Sequence, residues 1–560
     1  MTAVLAIGLV VAASVIIGAY GVRAARTTPD FLIASRQVGP GYNAMAIAGE
    51  YLSAASILGL AGLLLKNGLG TMWYAVGFTA GYVAVAALVA GPMRRSGAYT
   101  VPDFAEYRLG TPRIRKLCGC IVLVIMLLYL VPQFKGAGVV LQLVSGTPYW
   151  VGVVLAGLVV SVSITVGGMR SATYVQAFHY VVKLAFVAVP AVYLLVQAGA
   201  DTRTEVLYPE YRTAFEQTTA VEFTVDTRFT VAEPTPVRDA SGQTRELPPG
   251  PHTVSAGEEL VFPAGAVVPQ PENLPALGGD QWSRPLLDID GGQPLFGTWS
   301  TLLALTLGCM GLPHVVMRFH TSPAARTARR VAVGVIALLG VFYLFPAIYG
   351  MLGRVLTPQL VLTEATDTVA VALPAQAMPG GVGTILTALV AAGAFGAFLS
   401  TSSGLLLALA GGLSHDLFRG SVPRLRMAVT VGALLAVLLA LPTARLDINV
   451  LVGWAFAVAA STFCPLLVLG IWWRRLTVLG AASGLVVGAL TATSAVFLAL
   501  VLDPDPGWGA MLLAQPAAWT VPLAFATMIL GSLPGRPPDW AEHAVLRLHA
   551  PQRTDEPGAG

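Results

Sequence analysis

Residues 44–65, AMAIAGEYLSAASILGLAGLLL, are long and apolar enough to cross a bilayer, yet a carboxylate, Glu50, stands near their middle. A charged side chain at that depth costs about 2.5–3.5 kcal/mol on insertion scales, so it must face a partner or a wet cavity. Gly49, Ser53, Ala54, Ala55 and Ser56 surround it. Small residues permit close helix packing, which is the plainer account of the stretch. They also tolerate a break in the helix, and a break at membrane depth frees backbone carbonyls that can hold a cation. The carboxylate in their midst favours a site over packing alone.

The rest of the chain has the composition that such a stretch requires. Of 560 residues 55% are hydrophobic and 11% charged, against about 25% charged in soluble domains. Apolar runs of spanning length fall at roughly 3–22, 41–65, 71–93, 117–145, 149–167, 173–198, 298–317, 331–353, 378–413, 427–444, 448–473, 477–502 and 516–532. The chain therefore reads as an all-α polytopic membrane protein with 13 transmembrane helices. The first run lacks the basic flank of a signal peptide and reads as a retained span. Alternate loops carry 22 of the 33 basic residues, among them Arg23, Arg26, Arg36, Arg94, Arg95, Arg170, Arg318, Arg326, Arg419, Arg474 and Arg553. The positive-inside rule then puts the N-terminus outside and the C-terminus inside. Cys118, Cys120, Cys309 and Cys464 lie in or beside apolar runs and outline no disulfide framework.

Residues 199–295 are the one large polar stretch, with 15 of the 29 acidic residues. Alternating runs at 220–230 and 252–262 predict short strands. The stretch reads as an extracytoplasmic, β-rich insertion, separable from whatever the membrane helices do. The domain plan is a first helix and loop (1–40), a five-helix repeat (41–198), the insertion (199–297), a second five-helix repeat (298–473), two peripheral helices (474–532) and a tail (533–560). No GxxxxGK[ST] occurs, and the tail is short, so the expected energy source is an ion gradient rather than ATP. No constellation suited to catalysis or to nucleic-acid binding stands out.

A second apolar run is interrupted at Gly308-Cys309-Met310-Gly311-Leu312-Pro313-His314. Proline removes a helical hydrogen bond and crowds the preceding turn. Its place five spans after the first interruption is what an inverted repeat of five helices predicts. A third feature is the row Ser400-Thr401-Ser402-Ser403 inside an apolar helix. Hydroxyls suit hard cations, although Ser and Thr also bond back to their own helix.

Ala48-Gly49-Glu50-Tyr51-Leu52-Ser53-Ala54-Ala55-Ser56, Gly311-Leu312-Pro313-His314 with Arg318-Phe319, and Ala397 with Ser400-Thr401 together resemble the sodium:solute symporter family. Pro102-Asp103-Phe104 and Gly167-Gly168-Met169 add to the resemblance, which runs over nearly all the spans and points to the cation/acetate branch. It implies a leucine-transporter-like 5+5 inverted repeat, located in a bacterial inner or plasma membrane. It also implies a sodium ion held by the carbonyls of Gly49, Leu52 and Ala397 and the hydroxyls of Ser400 and Thr401. Thr173 stands where several members carry an acidic residue three positions before Gln176, and Glu50 where the branch more often has Asp.

The expected activity is sodium-coupled import of a small monocarboxylate such as acetate, propionate or pyruvate. The expected substrate contacts are Glu50, Tyr51, Ser53, Gln133, Lys135 and Gly311, with the carboxylate at the positive end of an unwound half-helix. Another substrate, an amino acid or sugar, proton coupling through Lys135, and a solute sensor are the alternatives. Lys135 lies unexpectedly mid-span. Two mid-membrane charges about 4 Å apart gain roughly 4 kcal/mol at an effective dielectric near 20, so Lys135 is expected to pair with Glu50. His179 and Lys183, one turn apart, read as a satisfied pair in the bundle interior rather than a proton relay, and His314 as a structural cap or a ligand contact.

Overall fold

A computed structural model describes residues 1–22, 38–209, 212–272, 274–287, 293–321, 324–417, 422–502 and 507–550. Arg23, Arg26, Arg36, Arg419 and Arg553, used above for orientation, lie outside these. Among the described residues eight helices are long and apolar enough to cross a membrane, and up to eleven if each of three bent pairs is one span. Two shorter apolar helices, Thr2–Gly18 and Tyr149–Thr165, coincide with the expected runs at 3–22 and 149–167. Leu5, Ile16, Val333, Leu434, Leu490 and Val501 are more than half exposed. So many exposed large apolar side chains suit a lipid surround and not water.

Nine helices position the site: α1 (Thr2–Val22), α2 (Pro40–Tyr51), α3 (Leu60–Asn67), α4 (Pro112–Ser145), α5 (Tyr149–Gln197), α6 (Pro294–Gly311), α7 (Pro313–Phe319), α8 (Gly381–Ala410) and α9 (Ile448–Trp472). Both interruptions expected from the sequence are present. α2 meets the segment Ala55–Asn67 at 68°, and α6 meets α7 at 47°. In the second case the cause is local, since Leu312 is extended (φ −70°, ψ 117°) and Pro313 opens the next helix at its first turn. α5 packs along α8, α2 and α1, while α6 lies against α9. α1 is pinned to α5 by two polar contacts, Ser14 Oγ with His179 Nε2 (2.7 Å) and Ser171 Oγ donating to the Gly18 carbonyl (2.9 Å).

The polar insertion is β-rich. Strands β1 (Thr219–Glu222), β2 (Thr227–Val231), β3 (Thr235–Asp239), β4 (Thr244–Leu247), β5 (Gly250–Val254), β6 (Glu259–Phe262) and β7 (Gln270–Pro271) form two sheets, ordered β1-β6-β3-β4 and β5-β2-β7. Each alternating run noted in the sequence is two strands with a turn between. β2 buries Thr227, Phe229 and Val231 and exposes the residues between them, as a two-residue period dictates. Phe223, next to β1, stacks on Phe229 of β2 and so links the two sheets, and Phe215 stacks on Phe262 of β6.

The insertion is packed onto the membrane helices through a few specific contacts. Trp282 is fully buried. Its indole N–H donates to the Leu65 carbonyl in the last turn of α3 (3.1 Å), and its own carbonyl accepts from Leu69 N–H (2.9 Å). The Leu65 oxygen is one of the four carbonyls that a helix end leaves without a partner. Gly68, at φ +83°, lets the chain pass so close that a Cβ there would overlap the Trp282 carbonyl. The Arg354 guanidinium lies 5.2 Å from the Trp282 ring and bonds Thr213 Oγ1 (2.6 Å) and the Glu205 carbonyl. Trp282→Ala is therefore expected to cost about 3–5 kcal/mol, the range for a large buried aromatic. A melting curve of the detergent-solubilised protein checks this. Replacing the β3–β4 turn, 240–242, with another short turn is the control and should leave the curve unchanged.

Candidate functional site

The break after α2 leaves a set of backbone groups that must each find a partner. Leu52 N–H still donates to the Ala48 carbonyl (3.0 Å), but there the helix stops. Ser53 N–H turns to Ser56 Oγ (3.3 Å) and Ala54 N–H to Gln133 Oε1 (3.0 Å). These were the donors that would have reached Gly49 and Glu50 in a continuous helix. The Gly49 carbonyl instead accepts from Ser400 Oγ (2.8 Å) and from the Lys183 ammonium. The Glu50 carbonyl accepts from Thr401 Oγ1 (2.5 Å) and the Leu52 carbonyl from Lys183 Nζ (2.6 Å). Ser400 Oγ also lies 3.0 Å from the Ala397 carbonyl. Contacts thus link four of the five groups expected to hold sodium, the carbonyls of Gly49, Leu52 and Ala397 and the Ser400 hydroxyl, with Lys183 among them, while the Thr401 hydroxyl is on the neighbouring Glu50 carbonyl. It also rearranges the expected His179–Lys183 pair. His179 bonds Ser14, and Lys183 reaches the broken helix.

On the other side of the break the second half-helix begins with its own caps. Ser53 Oγ accepts from Ala55 N–H (3.2 Å) and Ser56 N–H donates to the Ser53 carbonyl (3.0 Å). Ser56 Oγ meets Tyr343 Oη at 3.1 Å. Tyr51 packs edge-on to Tyr82 at 4.8 Å between ring centroids and also touches Phe78 and Phe456. Tyr129 lies against Phe456 and His314. Tyr51, Ser53, Ser56, Tyr82, Tyr129 and Gln133 are all buried. Of the expected substrate contacts, Tyr51, Ser53 and Gln133 meet at the break. Gly311 does not show a contact to them; its α-carbon packs so tightly on the Ala459 carbonyl that a Cβ would overlap it.

The two charges expected to neutralise each other do not meet. The Glu50 carboxylate pairs with Arg318 on α7, and Lys135 pairs with Asp367 at 2.8 Å. Arg318 is the residue of this cluster that the sequence does not reveal, because it follows an apolar run and reads as a loop cation. It lies 1% exposed and gives its Nε to Glu50, its Nη1 to Thr173 Oγ1 (2.9 Å) and its Nη2 to Gln176 Oε1. Gln176 Nε2 in turn donates to the Ser400 carbonyl (3.0 Å), which links the cluster to α8. A hydroxyl at position 173 suits this arrangement: Arg318 has one carboxylate, Glu50, and a neutral acceptor where a second acid would otherwise stand. Asp367 also accepts from Ile448 N–H at the start of α9 (3.2 Å).

Removing one partner of a buried ion pair strands the other, at a typical loss of 3–5 kcal/mol. Arg318→Met and Glu50→Gln are each expected to lower folded yield by that order, and the double variant by much less than their sum. Lys135→Met combined with Glu50→Gln should lose the plain sum. Lys135→Met with Asp367→Asn should couple. Unfolding midpoints of the four single variants, the three double variants and the wild type check the assignment of partners.

The sodium:solute symporter family model matches residues 31–237 and 291–488. The symporter YwcA of Bacillus subtilis (strain 168) is 28% identical over 554 residues, covering 95% of this chain and 94% of that one. The monocarboxylic acid transporter of Corynebacterium glutamicum is 28% identical over 530 residues, covering 91% and 87%. A Na+-coupled sialic acid symporter, solved in a substrate-bound outward-open state, superposes with a TM-score of 0.63 at 12% identity, covering 95% of this chain and 98% of that one. At that identity the likeness speaks for the fold alone, a helical leucine-transporter-like architecture. The chain is thus a membrane transporter and not an enzyme, and it belongs to the sodium:solute symporter family.

Proposed function

We propose that the protein is a secondary active symporter that imports a small monocarboxylate such as acetate, propionate or pyruvate across a bacterial inner or plasma membrane. The observation that carries this reading is the capped start of the second half-helix. At membrane depth the N–H groups of Ala54, Ala55 and Ser56 open a helix beside Gln133, Ser53, Tyr51 and Tyr129. The amide ends of a helix carry partial positive charge and receive a carboxylate readily. Gln133 Oε1 now holds the first of those N–H groups, as a substrate oxygen would. The relative named as a monocarboxylic acid transporter supports the substrate class, and an amino acid or a sugar is the competing class. Thirteen spans, an outside N-terminus with an inside C-terminus, and five-helix repeats at 41–198 and 298–473 complete the reading, with the insertion on the outer face. Sodium is the coupling ion that family membership and the Na+-coupled structural neighbour suggest. Lys183 favours a second reading of that point, developed below.

Uptake of labelled acetate into proteoliposomes tests the proposal. Concentrative uptake competed by propionate and pyruvate is the expected result, and binding without accumulation would indicate a sensor. Gln133→Glu places an anion where the substrate carboxylate belongs and should abolish uptake in protein that still folds. Gln133→Leu leaves Ala54 N–H unpaired and should cost about 1–3 kcal/mol, read as a lower melting temperature and a changed half-saturating acetate concentration.

A further inference from the structure

The cation position beside the break already has a positively charged group in it. Lys183 is fully buried, and its Nζ donates to the carbonyls of Gly49 and Leu52, two of the five groups that the resemblance assigns to sodium. The other members of that set are committed as well. Ser400 Oγ bonds the Gly49 carbonyl and lies 3.0 Å from the Ala397 carbonyl, and Thr401 Oγ1 bonds the Glu50 carbonyl. With Lys183 in this place the set does not fit a sodium ion, because two like charges would share the same carbonyls in a medium of low dielectric.

We propose that the ammonium of Lys183 is a tethered substitute for the sodium ion at the break between α2 and α3, so that this transporter moves its solute without sodium bound there. The proposal rests on the transport reading above and concerns only which cation completes the site.

Local geometry explains how a side chain from α5 reaches so far. Gly49 has no Cβ, and one placed there would overlap the Gln176 carbonyl, so α2 and α5 approach at backbone distance. Gln176 and Lys183 are seven residues apart and share one face of α5. The first bonds the Ser400 carbonyl on α8 and the second the Gly49 carbonyl on α2. Through Lys183, bonded to α2, and Gln176, bonded to α8, α5 thus joins the same two helices that a sodium ion would bridge. Among the described residues no carboxylate forms an ion pair with it. That of Glu50 on α2 acts on it through space but is bonded to Arg318 on α7, and His179 on its own helix is turned to Ser14 on α1. The ammonium is therefore held by backbone dipoles, which is how a bare cation is held at a broken membrane helix.

The test uses full-length protein with two readouts, labelled acetate uptake in proteoliposomes and the melting temperature in detergent. In each, sodium chloride is exchanged for choline chloride. The wild type should show the same uptake and the same melting temperature in both salts. Lys183→Ala should take up acetate poorly in choline. Sodium should restore uptake saturably and raise the melting temperature, since a ligand that binds only the folded state stabilises it. Adding Ser400→Ala to Lys183→Ala removes one oxygen ligand and should raise the sodium needed roughly five- to 150-fold. A wild type whose uptake or melting temperature rises saturably with sodium would overturn the proposal, as would a folded Lys183→Ala protein indifferent to sodium. If Lys183→Ala does not fold, Lys183→Ser and the wild-type comparison decide on the same criteria. Failure of the wild type to accumulate acetate in either salt would instead refute the proposed substrate, and the melting curves would still report on sodium.

Discussion

Everything at the centre of this molecule follows from three carbonyls that lost their helical donors. A soluble protein can leave such groups to water, but a chain at membrane depth has to satisfy them internally. Gly49, Glu50 and Leu52 are served by Ser400, Thr401 and Lys183, so α2 cannot shift without disturbing α5 and α8. The donors that left them are served in turn, with Ala54 N–H held by Gln133 on α4. A single interruption therefore couples four helices by backbone chemistry. The small residues around Glu50 allow the interruption, and the hydroxyl row on α8 answers it.

Charge is arranged by the same necessity. The membrane-embedded cations do not share one kind of partner. Arg318 has a carboxylate and two neutral acceptors, Lys135 has a carboxylate at a turn, and Lys183 has carbonyls alone. Guanidinium geometry accounts for part of this, since Arg318 can present its planar fork to Glu50, Thr173 and Gln176 at once. Lysine carries a compact charge on a flexible stem, which suits a position between converging carbonyls. Exchanging Arg and Lys between these sites would leave either an unserved fork or an unfilled cradle.

Much of this is legible in the sequence, and the limits have physical reasons. The two interrupted helices can be read from Glu50 with its small neighbours and from Gly311-Leu312-Pro313, because glycine and proline act through local backbone geometry. The strands of the insertion follow from two-residue alternation, although β3 and β4 carry too few apolar residues to be noticed. The partner of Glu50 is not legible. Arg318 follows an apolar run and looks like a loop cation, and only the restart of the helix at Pro313 carries it back to α5 and α2. Trp282 is equally silent, since one tryptophan in a polar stretch does not announce that it will cap a membrane helix 217 residues away. In both cases the decisive contact is long-range, and periodicity has no access to it.

The same logic extends to the far end of α3. Lys66 bonds Asp447 at 3.0 Å, and the next residue in the chain, Ile448, gives its N–H to Asp367, the partner of Lys135. Two ion pairs thus converge on the start of α9, from α3 and from α4, through the turn at Thr366–Thr368. They differ in surroundings: the Lys66 and Asp447 side chains are 27% and 26% exposed, those of Lys135 and Asp367 only 4% and 12%. The outer pair can exchange its contacts for water at little cost, as surface pairs do. The inner pair cannot separate until water or another charged group reaches it. Parting α9 from α3 and α4 therefore requires breaking both pairs, the partly exposed one at Lys66 and the buried one at Lys135, and the buried one holds the larger share of the resistance.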